Sequence, residues 1–451
     1  MRDNNKIRRI QTARDTGDRL AELQPLVFRP DSEEVEMQVI NVYEDLEYQT
    51  IMGFGGAFTE ASAVTLQKIS AEKRQEIMRA YFDRQHGLGY TLCRTHINSC
   101  DFSLGNYAYV EREDPELAQF DISRDREALM PCIQEAARQA EGQLALYASP
   151  WSPPGWMKTT GMMNGGGKLK REYYDAWARY YVKYIQAYEE EGIPIWGITV
   201  QNEAKAVQTW DSCVYTAEEE KDFVRDYLGP ALEAAGLSHV KVMIWDHNKE
   251  RIYERAKIAF EDAAASKYIW GIAFHWYSGD HFEALSAVRD KYPDKRLLFT
   301  EGCQEGGVRL GAWHTGERYA HDMIGNLNHW TSGWTDWNLV LDETGGPNHV
   351  GNFCDAPVIA NTKTGEVHYE SSYYYIGHFS KYIRPGAARI GCTKYTDKLE
   401  TTAFKNSDGT IALVILNRTD DNLSYCLRYN GDVAEGSIPG HAIQTLLFHG
   451  S

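Results

Sequence analysis

The chain has 451 residues, 43% of them apolar and 25% charged, with 12 Trp, 28 Tyr and 15 Phe. Those proportions exclude a disordered chain, a coiled coil and a collagen-like fibre. The formal charge, 47 basic against 64 acidic groups, is −17, which argues against a phosphate-backbone partner and for a neutral small molecule.

No run of about 18 apolar residues occurs, so no membrane insertion is expected. The first stretch, Met1 to Leu20, is polar and lacks the apolar core of a secretion signal, and cytoplasmic residence is the expectation. The eight Cys are scattered without a C-x-x-C and read as reduced, mostly buried thiols.

Residues 26–48 are strand-like, with Val35, Met37, Val39 and Val42 alternating. A different texture follows: short apolar or aromatic runs, each leading into a helix-like segment. The runs are Ile51–Gly55, Tyr90–His96, Gln143–Ser149, Ile195–Gln201, Lys241–Asp246, Trp270–Trp276, Arg296–Glu301 and Ser332–Trp337. Continuous apolar runs suit strands buried on both faces of a parallel sheet. Between them, Tyr174, Trp177, Tyr181, Tyr184 and Tyr188 recur at helical steps, and Thr216 with Glu219 forms a capping box. Eight such units predict an α/β fold with a closed (β/α)₈ TIM barrel over residues 49–375. An open doubly wound sheet is the rival, and its Gly-rich nucleotide turn is missing.

Past about Tyr375 the helices stop. Lys398–Lys405, Thr410–Asn417, Leu423–Tyr429 and Ala442–Phe448 are strand-like, with a hairpin turn at Asp408 and Gly409. Residues 376–451 are therefore expected to form a β-sandwich together with residues 1–48, so that both chain ends build one side domain.

A barrel carries its chemistry at the C-terminal ends of its strands. Strand two ends near Arg94 and leads to Asp101. Strand three ends at Trp151, strand four at Asn202 and Glu203, strand six at His275, Trp276 and Tyr277, strand seven at Glu301, and strand eight at Trp337. Two carboxylates on strands four and seven face each other across such a mouth, the arrangement glycoside hydrolysis requires. Trp151, Trp276 and Trp337 offer flat faces for a sugar ring. The plainer readings are a salt-bridged Glu, a packing Trp and a packing His275; the pairing of two Glu in polar-aromatic settings outweighs them. Gly165–Lys168 lacks the spacing of a phosphate loop, Gly53–Gly56 lacks the last Gly of a dinucleotide fingerprint, and no H-E-x-x-H or close His pair marks a metal site. No metal or cofactor is expected.

With these residues in place the chain resembles glycoside hydrolase family 30, and especially its glucosylceramidase branch. The matching segments are Gly53–Glu60, Ser99–Ser103, Ala148–Trp156, Val200–Glu203, His275–Tyr277, Gly333–Leu339, Gly345–Asn348 and Gly377–Lys381, in that order along the chain. The resemblance implies a barrel with a side β-sandwich and a retaining mechanism. It implies Glu203 as acid/base, Glu301 as nucleophile and Asn202 on the sugar 2-hydroxyl. It also implies that Arg94 and Tyr277 hold the nucleophile and that Asp101, Trp151, Trp337 and Asn352 contact the glycone. Two segments depart from the pattern. Ala204 stands where many relatives have Pro, and Gln208–Cys213, with Trp210, is expected to line the leaving-group side. The expected substrate is a small glycoside or glycolipid, foremost a β-glucoside. β-Xylosides, β-fucosides and β-1,6-glucans are the alternatives within the family, and a non-catalytic carbohydrate-binding barrel is the alternative outside it. A metal-dependent barrel hydrolase is disfavoured, and the oligomeric state stays open.

Overall fold

The computed structural model describes residues 5–450. Its centre is a closed barrel of eight strands: Gly53–Phe58, Leu92–Ile97, Ala145–Pro150, Ile195–Thr199, Lys241–Asn248, Ile269–His275, Arg296–Glu301 and Thr331–Asn338. They are referred to below as strands one to eight. They neighbour one another in chain order, and successive pairs run parallel. Each falls on one of the eight apolar runs, because a strand covered on both faces needs no polar side. Strand one packs closely on strand two at Gly55, where a Cβ would stand 1.8 Å from the Leu92 carbonyl oxygen.

Helices separate the strands, among them Glu60–Lys68, Tyr174–Glu190, Ala217–Phe223 and Phe282–Lys291. Ala217–Phe223 begins at the expected capping box: Thr216 Oγ1 accepts from Glu219 N–H and Glu219 Oε2 accepts from Thr216 N–H. The aromatic helix Tyr174–Glu190 turns Trp177, Tyr180, Tyr181, Tyr184 and Tyr188 inward. The hydroxyls of Tyr107, Tyr109 and Tyr188 all donate to Asp125, at 2.7, 2.6 and 2.7 Å. A buried carboxylate surrounded by phenol donors satisfies both parties.

The chain divides into two compact units. One comprises Gly55–Arg309 and Trp334–His368 and carries the barrel's helices up to strand seven. The other comprises the chain up to Phe54, Leu310–Gly333 and the chain from Tyr369 on. It holds a ten-stranded sheet in the order Ala21–Val27, Lys6–Ala13, Ala442–His449, Thr410–Asn417, Leu399–Lys405, Ala388–Thr393, Val39–Thr50, Leu423–Tyr429, Asp432–Ile438 and Arg29–Pro30. N-terminal and C-terminal strands thus share one sheet. Lys6–Ala13 pairs antiparallel with Ala442–His449, Ile10 facing Thr445. Ile7, Ile40, Leu413, Leu427, Leu446 and Phe448 share its core. The helices Trp313–Asn328 and Ser371–Ser380 belong to this unit as well.

One expectation for the N-terminal segment needs correcting. Only Val39 onward forms the long strand; Met37 precedes it and is 77% exposed. The regular strands on that side also include Lys6–Ala13 and Ala21–Val27, whose charged and polar residues hid them.

Candidate active site

The strand ends converge on a cavity of about 600 Å³ lined by Asp101, Trp151, Asn202, Glu203, Trp210, His247, Tyr277, Glu301, Trp337 and Asn352, among others. Beneath it lies a layer of buried charge. Arg94, on strand two, is fully buried. Its Nη1 donates to Glu301 Oε2 at 2.6 Å, and its Nη2 donates to Asn202 Oδ1 and Asp246 Oδ2, each at 2.8 Å. Its Nε donates to Ser149 Oγ at 3.1 Å. The guanidinium also lies 4.6 Å from the Trp151 ring centroid. A planar fork with five donors can serve so many partners at once.

Asp246, on strand five, is the second hub and was not singled out from the sequence. Besides Arg94 it accepts from Thr199 Oγ1 and Thr300 Oγ1, each at 2.6 Å, and its Oδ1 stands 3.0 Å from His275 Nε2. Burial alone raises its pKa, but Arg94 and His275 outweigh this and hold it well below the usual carboxylate range. An Asp246→Ala variant leaves Arg94, His275 and two hydroxyls short of an acceptor in a dry layer. The expected loss is about 3–5 kcal/mol of stability, read as a lowered denaturant midpoint.

Glu301 ends strand seven and is 6% exposed. Its Oε2 is held by Arg94, and its Oε1 accepts from the Tyr277 hydroxyl at 2.9 Å. Glu203 follows strand four in the left-handed region, at φ 49°, and its N–H donates to the Asp246 carbonyl oxygen at 2.8 Å. A non-glycine residue held at positive φ marks a position the surroundings over-determine. His275 Nδ1 lies 3.4 Å from Glu203 Oε1 and 4.0 Å from Glu301 Oε1, so one ring nitrogen stands between the two carboxylates.

Burial raises the proton affinity of both carboxyls. On Glu203 the hydrogen bond with His275 and the neighbouring imidazoles outweigh burial and lower the pKa. On Glu301 burial and the Glu203 charge prevail over His275 and Arg94 and raise it. The two titrate as one system. Contact geometry distinguishes the two. Arg94 and Tyr277 both donate to Glu301, which an ionised carboxylate accepts best. Arg94 and Tyr277 thus favour an ionised Glu301, while Glu203 has the His275 Nδ1 beside it. Burial lowers the pKa of His275, but the carboxylates of Glu301, Asp246 and Glu203 more than offset this and raise it to about 9.

The aromatic wall is equally defined. Trp151 and Trp337 stack at 5.0 Å and 15°, and both are buried. Asp101 Oδ2 accepts from Asn352 Nδ2 at 3.2 Å and Asn348 Nδ2 at 3.3 Å. Burial and the nearby Glu301 charge push its carboxyl up to about 7. Trp210 also lines the cavity, half-buried, and packs against the cluster that holds Trp151 and Trp337.

Of the sequence-derived candidates, Arg94 and His275 lie one layer below the cavity rather than on its wall. Trp276 was expected at the site and lies outside it. It does not line the cavity; its ring packs on Phe299 and Trp334, at 6.0 and 6.4 Å between centroids. The strand ends at His275 and the chain turns at Tyr277, so Tyr277 reaches the cavity while Trp276 packs away from it. Beyond Asp246, the sequence reading also missed His247, which lines the cavity, and the thiols of Cys303 and Cys354 in its wall. The two Sγ atoms are 3.5 Å apart, and Cys303 Sγ is 3.4 Å from the Tyr277 hydroxyl.

Comparison with known proteins agrees with this geometry. The glycosyl hydrolase family 30 TIM-barrel domain matches residues 51–383, and the family's beta sandwich domain matches residues 386–446. The lysosomal acid glucosylceramidase of Mus musculus is 34% identical over 433 residues, 91% of this chain and 83% of that protein. The crystal structure of SrfJ from Salmonella typhimurium superposes with a TM-score of 0.96 at 40% identity, covering 99% of this chain and 100% of that one. The endo-beta1,6-glucanase BT3312 superposes with a TM-score of 0.88 at 30% identity, again covering 99% and 100%. A barrel whose strands four and seven end in paired carboxylates, with both family domains matched in order, makes this chain a member of glycosyl hydrolase family 30 and a retaining glycoside hydrolase.

Proposed function

We propose that the protein is an exo-acting β-glucosidase of glucosylceramidase type, with Glu301 as nucleophile and Glu203 as acid/base. The observation that carries the assignment is the asymmetry of the pair: Arg94 bonds Glu301, whereas Glu203 faces His275. An ionised carboxylate fixed by a guanidinium is poised to attack; a carboxyl sharing a proton with an imidazole is poised to give it.

In the first step a Glu301 oxygen bonds to the anomeric carbon. The bond to the leaving oxygen breaks, its electron pair goes to that oxygen, and the Glu203 proton follows. Esterification removes the negative charge on Glu301. In the second step Glu203 takes a proton from water, whose oxygen attacks the anomeric carbon while Glu301 departs with its electron pair. Two inversions leave the product β. Asn202, oriented by Arg94, is placed for the sugar 2-hydroxyl, where contacts strengthen in the oxocarbenium-like transition state. Asp101 with Asn352, and the Trp151–Trp337 stack, provide acceptors, donors and a flat face for the remaining hydroxyls and the ring.

A panel of aryl β-glycosides tests the reading. The glucoside is expected to give the highest kcat/KM against the xyloside, fucoside, galactoside and glucuronide, with glucosylceramide also cleaved. A preference for the xyloside or fucoside contradicts it. The likeness to an endo-beta1,6-glucanase supports a second reading, which internal cleavage of a β-1,6-glucan would favour.

A further inference from the structure

We propose that Glu203, His247 and His275 form a binding site for one divalent transition cation of the zinc or copper type, and that its occupancy switches hydrolysis off.

The three residues come from consecutive barrel positions: the end of strand four, strand five and strand six. One donor atom of each lies within 4.8 Å of the other two. Glu203 Oε1 is 3.6 Å from His247 Nδ1 and 3.4 Å from His275 Nδ1. Donor atoms about 2.1 Å from one tetrahedral ion stand about 3.4 Å from each other, so two of the separations already match and rotation of the His247 ring closes the third.

Three further features favour a cation there. His275 Nε2 is bonded to Asp246 Oδ1 at 3.0 Å, and Asp246 is itself tied down by Arg94, Thr199 and Thr300. A carboxylate behind the far nitrogen is how metal-binding imidazoles are oriented. His247 Nδ1 is buried with no hydrogen-bond partner, so it is open to a cation. Glu203 and His247 line the cavity, so a further coordination position opens onto it. Two imidazoles and one carboxylate select zinc, copper or nickel over magnesium and calcium.

Binding displaces the proton shared by His275 Nδ1 and Glu203 and leaves the carboxylate as a metal ligand. It can then neither protonate a leaving group nor activate water. The loss of activity rests on the hydrolase reading above; the binding itself does not.

The test uses the full chain, freed of metal, with Zn²⁺ titrated by calorimetry and Co²⁺ followed by its visible absorption. One ion per chain is expected. Zn²⁺ is expected to inhibit aryl β-glucoside hydrolysis, with reversal by EDTA. His247→Ala and His247→Gln are expected to abolish the Co²⁺ band and to raise the half-inhibiting Zn²⁺ concentration at least roughly tenfold, the lower bound for losing even an outer partner of a metal site. A Cys303→Ser/Cys354→Ser variant is expected to keep the site. Absence of binding, binding that survives both His247 substitutions, binding lost with the two thiols, or binding that leaves hydrolysis unchanged each overturns the proposal. A chain that binds one ion through His247 yet cleaves no glycoside upholds the site and overturns the hydrolase reading instead.

Discussion

Glu301→Gln is expected to lower kcat/KM on β-glucosides by roughly 10⁴–10⁶-fold, about 5–8 kcal/mol of transition-state stabilisation. Gln has nearly the shape of Glu but no charge, and its amide is a poor nucleophile, so the covalent step fails. Arg94 keeps its bonds to Asp246 and Asn202, so the guanidinium is not stranded and the variant is expected to fold. Steady-state kinetics beside a thermal melt separates the two effects. A loss of activity with little change in melting temperature is the expected result. Near-normal turnover would remove Glu301 from the chemistry.

Glu203→Ala is expected to behave differently on different leaving groups. Acid/base assistance is worth roughly 10²–10⁴-fold. On an alkyl or lipid glucoside the first step needs a proton, and the variant loses that full factor. On a dinitrophenyl glucoside the departing phenolate needs none, so the first step proceeds and the glycosyl ester on Glu301 accumulates. Azide then enters the space vacated by the carboxyl and attacks without a general base. Added azide is expected to restore turnover and to yield the β-glycosyl azide. Formation of the α-azide would show that the two carboxyl roles are reversed. Stopped-flow bursts of phenolate and NMR of the azide product measure both halves of this expectation.

The barrel was legible because its strands are covered on both faces and read as unbroken apolar runs. The sandwich was less so. Asp432–Ile438 carries Asp432, Glu435, Gly436 and Ser437, and Lys6–Ala13 carries three basic residues; strands like these take their place from what they pair with rather than from their own composition. The paired Glu were legible because each sits at the end of its strand, where a barrel exposes side chains. The hub at Asp246 was not. Its role depends on which side chains of strands two, four, six and seven meet beneath the cavity, and no spacing within strand five carries that information. His247 was missed for the same reason: it and His275 become neighbours only when strands five and six pair. Trp276 was misplaced because the chain leaves strand six at His275 and turns there, so neighbouring residues of that run do not share one face.

The most direct test of the whole account is to trap the covalent intermediate. A β-glucosyl fluoride carrying fluorine in place of the hydroxyl beside the anomeric centre destabilises the oxocarbenium-like transition states, while its fluoride leaves without a proton, so the ester forms faster than it hydrolyses. Mass spectrometry of the digested protein is predicted to find one added fluoroglucosyl group, on the peptide containing Glu301 and on that side chain. A label on another residue, or an unlabelled protein that releases the α-anomer from ordinary glucosides, would contradict it.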